Sequence, residues 1–397
     1  MEPGDVAFVL VAAALVLFMT PGLALFYGGM VRAKNVLNML MMNFVTIGIV
    51  TAVWTAIGYS IAFDGTYGNI IGRFGKPFLN SVESDELLFF AFQMMFAIIT
   101  PALISGAVAG RMKFSAWIAF AAAWALIVYP IAAHWGFGSG WLFEWGARDF
   151  AGGLVIHINA GVAALALVLV LGPRRGFGTE AMRPHSLPLT LVGAGILWFG
   201  WFGFNAGSAL AADEIAVSAL VMTQIGASFG LLGWMIAEWR KSGKPTVLGA
   251  ASGAVAGLVA ITPAAGFVDV LPSMIIGLAA GGMCFWAVNL KERYGYDDSL
   301  DVVGIHMVGG IVGSLATGVF ASIAVNPGLL EEGLLYGGGG LFLKQLVGVV
   351  AILTFSFVAT YAIAKVIDAT IGLRADEDAE IEGLDIRLHE ERAYTNE

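Results

Sequence analysis

Cysteine and charge are what this sequence has least of, and each shortage excludes something. The one cysteine, Cys284, sits in an apolar run, so no intrachain disulfide is possible and no CxxC pair exists to ligate a metal, cycle a dithiol or attach haem c. Charged residues are 12% of the chain, about half their share in soluble domains, while 58% of the residues are hydrophobic. A water-soluble domain is excluded. The apolar runs also lack the short alternation of polarity that barrel strands show, which leaves an all-α integral membrane protein. Basic tracts are missing too. The formal charge is −9, and −7 of it falls in residues 375–397, where nine acids stand against Arg387 and Arg392. Such a tail is poorly suited to gripping anionic lipid or nucleic acid, and no nucleic-acid partner is expected.

What is present is long and apolar. Eleven runs read as spans: Val6–Val31, Val36–Phe63, Leu87–Gly110, Ala116–Ala133, Gly152–Leu171, Thr190–Ala206, Ile215–Trp239, Leu248–Ile261, Leu271–Leu290, Val302–Val319 and Leu341–Ile371. The first begins with Glu2 and Asp5 rather than a basic segment and is too long for a secretory signal, so it is expected to stay in the membrane. The 53 glycines are spread mostly through these runs, which fits close helix–helix approach. Residues 1–374 form one membrane domain and 375–397 an acidic tail; no separate soluble domain fits anywhere.

Orientation follows from the basic residues. Sixteen of the 20 lie in alternate loops, beginning with Arg32/Lys34 and Arg111/Lys113 and ending with the C-terminal segment, whereas the other set of loops holds only Arg73, Lys76, Arg148 and Lys344. The basic set is the cytoplasmic one, so the N-terminus is expected outside and the C-terminus inside.

Two histidines lie within apolar runs. Eight helical steps from Asp149 put the His157 imidazole roughly 12 Å below the helix mouth, near the middle of a hydrocarbon layer of about 30 Å. An ionisable residue at that depth is a functional-site candidate. The tenth span opens on Asp301 and carries His306 in a second acid-glycine-histidine-glycine series. The two lie five runs apart, an odd step, so the helices run in opposite directions, as in an inverted repeat of five plus five helices with halves at about 6–171 and 190–319 and a further helix at 341–371. Equivalent positions in such a repeat meet near the midplane. Two facing imidazoles in an apolar lining can pass a small polar molecule by hydrogen bonding, share a proton, or ligate haem iron. An uncharged pair offers one N–H and one lone pair between them, which suits a neutral solute better than a stripped metal cation; no metal site is expected. Aromatic residues cluster around Phe96 in the third span, Phe204 in the sixth and Trp135/Phe137 after the fourth. Together with Ser208, their faces suit a cation held at one mouth before it loses water.

The segments Asp149-Phe-Ala-Gly-Gly-Leu-Val-Ile-His157-Ile-Asn-Ala-Gly, Gly200-Trp-Phe-Gly-Phe204-Asn-Ala-Gly-Ser208 and Asp301-Val-Val-Gly-Ile-His306 resemble the ammonium transporter family (Amt/Mep/Rh). The resemblance runs from Val6 to Tyr394. It implies a homotrimer of eleven-helix subunits, each with its own pore, in a prokaryotic cytoplasmic membrane. By the same resemblance Phe96 and Phe204 look like the gate, His157 and His306 like the twin pore histidines, Ser208 like a hydroxyl of the outer ammonium site, and Asp149 like the buried acid beneath it. Asp149 is read as a helix-terminus and field-setting residue. The family's fourth outer loop reads His-Trp-x-Trp-Gly, whereas this chain has His134-Trp135-Gly136-Phe137-Gly138, so either Phe137 or, by a one-residue shift, Trp135 supplies the π wall. A PII-type signalling protein is implied at the cytoplasmic face, with the tail taking part. The implied activity is permeation of ammonium and ammonia without catalysis or cofactor. The rival readings are an ammonium sensor with little transport and a b-type membrane cytochrome with two axial histidines.

Overall fold

In a bilayer every backbone N–H and C=O needs a partner within the protein, so runs of this length close their hydrogen bonds as helices. The structure is a computed structural model that describes residues 2–394, with no strand among them. Ten of its helices are long and apolar enough to cross a membrane: α1 (Pro3–Met30), α2 (Ala33–Phe63), α3 (Glu86–Val108), α4 (Phe114–Trp145), α5 (Gly153–Leu171), α6 (Leu187–Gly207), α7 (Glu214–Ser242), α9 (Val270–Tyr294), α10 (Val303–Phe320) and α11 (Gly339–Thr370). Between α7 and α9 lies α8 (Val247–Ile261), of 15 residues. It is short of the roughly 20 that a span needs. Of the eleven expected spans, ten therefore reach spanning length among the described residues and the eighth is a shorter apolar helix: α8 packs among its neighbours, and its chain continues buried through Val268. Pro21 and Pro101 sit inside α1 and α3, positions a membrane bundle tolerates because neighbouring groups satisfy the freed carbonyls.

The run ending at Ala133 goes further than hydropathy alone suggests. α4 is three pieces, Phe114–Ile127, Tyr129–Gly136 and Trp141–Trp145, with a turn at residues 137–140. α1 packs along α6, and α5 crosses α10. That second crossing is unusually close. A Cβ on Gly161 of α5 would lie 2.2 Å from the Met307 backbone nitrogen, and one on Gly310 of α10 would lie 3.0 Å from the Gly153 carbonyl oxygen. Only hydrogen at both positions lets the two backbones meet this way.

At the end of the bundle where α2 and α4 begin, polar groups tie the loops together. Arg111 is fully buried; its Nε donates to Gly172 O (2.8 Å), its Nη1 to Ala107 O and Ser299 Oγ and its Nη2 to Asp297 O, while the Asp297 carboxylate lies 3.8 Å away. Asp297 is also held by two nitrogens of Arg174, at 2.8 and 2.7 Å. The tail docks beneath this end as α12 (Glu377–Glu382) and α13 (Leu384–His389). Asp385 accepts the Leu37 and Asn38 N–H groups at the head of α2, and His389 Nε2 lies 3.0 Å from Asn38 Oδ1. Arg374 holds Glu380 through two nitrogens, and Tyr394 meets the His185 ring at 2.8 Å. Composition alone would leave this acidic segment disordered. Buried Leu384 and these side-chain bonds order it.

Candidate functional site

The two histidines sit in matching irregularities. Gly153–Ile158 and Val303–Met307 are π-helical turns at the starts of α5 and α10, a local widening that occurs disproportionately at functional positions. At the first, His157 N donates to Gly152 O, five residues back. The sequence-based depth assumed a helix from Asp149, but the helix begins at Gly153. His157 is therefore only four residues into it, about 6 Å along the axis. The imidazole still reaches the interior, because the helix mouth is itself buried: residues 151–164 are all buried.

His306 Nδ1 lies 3.2 Å from His157 Nδ1, with ring centroids 5.3 Å apart and planes 20° from parallel. One nitrogen must donate and the other accept, so the pair as a unit presents one further N–H and one further lone pair at its Nε2 positions. His157 Nε2 has no partner. Trp201 and Phe204 stack on the His157 ring at 5.4 and 6.0 Å, and Trp201 is fixed by an Nε1–H donated to Thr262 Oγ1 at 2.8 Å. Leu23, Phe26, Ile99, Leu103, Leu197 and Val255 complete an apolar lining with no charged residue, enclosing a cavity of about 10 Å³. That is room for the centre of about one water-sized molecule. The rings are in direct contact, so no porphyrin fits between them, which removes the haem reading on geometry.

Above the imidazoles, the Phe96 and Phe204 rings close the passage with centroids 4.4 Å apart. Beyond them opens a vestibule of about 360 Å³ lined by Phe92, Gln93, Phe96, Phe137, Arg148, Asp149, Phe150 and Ser208 among others. Ser208 Oγ donates to Phe204 O at 2.8 Å, leaving its lone pairs free to accept. The carboxylate of Asp149 accepts four backbone N–H groups: Gly152 and Gly153 on Oδ1, Leu154 and Val155 on Oδ2, at 2.6–3.0 Å. Burial pushes its pKa up against the pull of those bonds. Each oxygen takes two of these bonds, which fills the roughly four acceptor positions of a carboxylate.

Of the two aromatic candidates in the loop, Phe137 lines the vestibule and Trp135 does not. Trp135 Nε1 donates to Ile70 O (2.8 Å), and its ring packs on Trp141 and Phe355 along a separate apolar groove. The shifted register that would bring Trp135 to the site is corrected accordingly. At about 100° per residue, side chains two positions apart on a helix face nearly opposite ways. His134, which precedes both, is anchored by Ala62 O and Thr66 Oγ1.

Sequence reading paired Asp301 with Asp149, and the geometry replaces it by Asp298. Asp298 stands eight residues before His306, as Asp149 does before His157, and its Oδ2 accepts the Val303 N–H at 2.7 Å, the first residue of the π turn. It is 1% exposed; burial raises its pKa to about 6, and its Oδ1 has no partner. Asp301 instead has a left-handed backbone (φ 65°) and pairs with Lys291 at 2.5 Å. The eight-residue spacing was a readable signal. Gln93 and Arg148 were not singled out, since neither forms a pattern along the chain.

These features now have relatives. Residues 7–394 match the model described as Ammonium Transporter Family. The chain is 48% identical over 404 residues to the ammonium transporter of Bacillus subtilis, covering 99% of each chain. It is 46% identical over 395 residues to ammonium transporter Amt1 of Archaeoglobus fulgidus, covering 100% of each. The crystal structure of Saccharomyces cerevisiae Mep2 superposes with a TM-score of 0.90 at 34% identity, covering 95% of this chain and 91% of that one. With the family model matched over nearly its whole length, this multi-pass membrane protein belongs to the ammonium transporter family.

Proposed function

We propose that the chain moves ammonium across the cytoplasmic membrane by holding the cation in the vestibule, releasing its proton there to the water outside, and passing ammonia between Phe96 and Phe204 and along His157 and His306. The observation that carries this reading is the imidazole pair at 3.2 Å inside an uncharged, apolar constriction. Four N–H donors on ammonium meet the π faces of Phe96 and Phe137 and the free lone pairs of Ser208. Beyond the gate, ammonia finds one donor and one acceptor on the histidine pair, and a charged ion finds neither water nor a counter-charge. Asp149, with Asp298 at the same spacing in the second half, supports a five-plus-five inverted repeat with α8 as the short eighth of eleven helices. The distribution of basic residues supports an N-terminus and vestibule outside and a tail in the cytoplasm. Family resemblance carries the homotrimer. The test is ammonium and potassium flux measured together with current in proteoliposomes: ammonium uptake without potassium flux is expected. Potassium flux comparable with ammonium flux rejects the dry passage, and negligible ammonium flux favours a sensor.

Phe137 sets a second expectation. Indole is a stronger cation–π partner than benzene, so Phe137→Trp is expected to lower the half-saturating ammonium concentration by about 0.5–1 kcal/mol, roughly two- to fivefold. An unchanged value in this variant means the ring at 137 does not touch the cation.

The tail gives a third. Docked through Asp385, Glu380 and His389, it presents an ordered cytoplasmic surface that we take to support capping of the mouth by a PII-type protein. Deleting 375–397 is expected to abolish inhibition of flux by the cognate PII protein, and full inhibition of the truncated form would refute that role.

A further inference from the structure

A vestibule that collects a cation should not need an arginine in its wall, yet Arg148 lines it. Among the residues described there, Arg148 and Asp149 are the only charged ones. Their charges are not equally spent. Asp149 gives both oxygens to four backbone N–H groups at a helix start, where partial positive charge offsets it. The Arg148 guanidinium finds carbonyls only: Nη1 donates to Phe143 O (3.1 Å) and Ala147 O (3.0 Å), and Cζ lies 4.8 Å from the centre of the Phe143 ring. Carbonyl dipoles and a π face hold the group without cancelling its full charge, and the field of Glu144 reaches it from outside the lining.

The position is built, too. Gln345 of α11, fully buried, clamps the Arg148 backbone from both sides, its Oε1 accepting Arg148 N–H and its Nε2 donating to Arg148 O, each at 2.8 Å, with a further bond to Ser314 O. The segment from α4 to α5 therefore cannot swing the guanidinium clear by a backbone movement without breaking both bonds.

We infer that Arg148 is an affinity-setting residue of the ammonium vestibule, a fixed positive charge that opposes cation occupancy and so raises the ammonium concentration at which the protein half-saturates. The inference rests on reading the vestibule as the place where ammonium is held. A unit charge several ångströms away, in a medium between protein surface and water, changes an occupancy by roughly fivefold. It also makes the occupancy depend on salt in the unusual direction: screening the repulsion improves binding, because the Debye length falls from about 30 Å at 0.01 M to about 3 Å at 1 M.

Ammonium flux is measured in proteoliposomes of zwitterionic lipid, with N-methylglucamine chloride as the added salt, for the wild type and for Arg148→Gln, Arg148→Lys and Ser208→Ala. Arg148→Gln is expected to lower the half-saturating concentration about fivefold and to lose the improvement with salt that the wild type shows. Arg148→Lys, which keeps the charge, is expected to stay near the wild-type value and to keep its salt dependence. A Lys variant that shifts as far as the Gln variant, or a Gln variant that does not shift while Ser208→Ala raises the half-saturating concentration, overturns the inference. If Ser208→Ala leaves that concentration unchanged as well, it is the vestibule reading itself that fails.

Discussion

Replacing His157 with glutamate is expected to raise potassium flux from negligible to readily measurable. Ammonium and potassium have the same charge and similar size, so neither a hydrated pore nor an oxygen cage would separate them well. Deprotonation does, since potassium has no proton to give up. In the wild type a bare cation passing Phe96 and Phe204 enters a lining of Leu23, Phe26, Ile99, Leu103, Leu197 and Val255 with no counter-charge, which costs several kcal/mol of lost hydration. A carboxylate at position 157 offsets part of that cost and draws water into a space that holds about one molecule. An offset of about 3–4 kcal/mol corresponds to a gain in potassium flux of roughly 10²–10³. The same change at His306 is expected to act in the same direction, because the two rings share one contact at 3.2 Å. Potassium flux in proteoliposomes decides it. A His157→Glu protein that stays folded, elutes like the wild type on gel filtration, conducts ammonium and still excludes potassium would show that the barrier lies elsewhere than at the imidazoles.

Asp149→Ala is expected to cost more than any other single change at the site. It leaves four buried N–H groups without an acceptor at once, at about 1–3 kcal/mol each when no water can replace the oxygen. The sum is a large part of the roughly 5–15 kcal/mol that holds an ordinary domain folded. The effect also lands on the π turn that carries His157, so a partly folded protein would hold the imidazole in the wrong place. Loss of transport and a fall of about 10 °C or more in the melting temperature in detergent are expected. Asp149→Asn separates the two roles of this residue: its single carbonyl oxygen keeps part of the cap, and its charge is gone. If stability drops in proportion to lost bonds and ammonium affinity weakens as well, cap and field are both at work. An alanine variant as stable as the wild type would mean that water fills the place of the carboxylate and that the cap is not structural.

How much of this was legible beforehand differs residue by residue. His157 and His306 stood out because an imidazole in a lipid-length run is rare, and their opposed directions followed from counting the runs between them. The span limits were legible for the same reason. Hydropathy is summed along the chain, and α3, α5 and α10 lie within two residues of the runs predicted for them. Where a decision turned on what one side chain touches, the sequence was silent or misleading. Trp135 and Phe137 differ by two positions in one loop, and only the rotation of the Tyr129–Gly136 helix puts one in the vestibule and the other on Phe355. Asp301 looked like the partner of Asp149 because it is the acid nearest the head of the run, whereas Asp298 is the one whose oxygen reaches the Val303 N–H.

The sequence by itself determined an all-helical membrane protein, its spans, the two histidines and the family, because apolar length and motif spacing are properties of the chain read in order. Only the tertiary structure decided the depth of His157, the π turns beneath both histidines, the shortness of α8, the exclusion of Trp135 and the presence of Arg148 in a cation's vestibule. Each of these depends on where a helix begins or which way it is rotated. Those choices are fixed by contacts between segments far apart in sequence, Gly161 against Met307 and Gln345 against Arg148, whose partners no local pattern names.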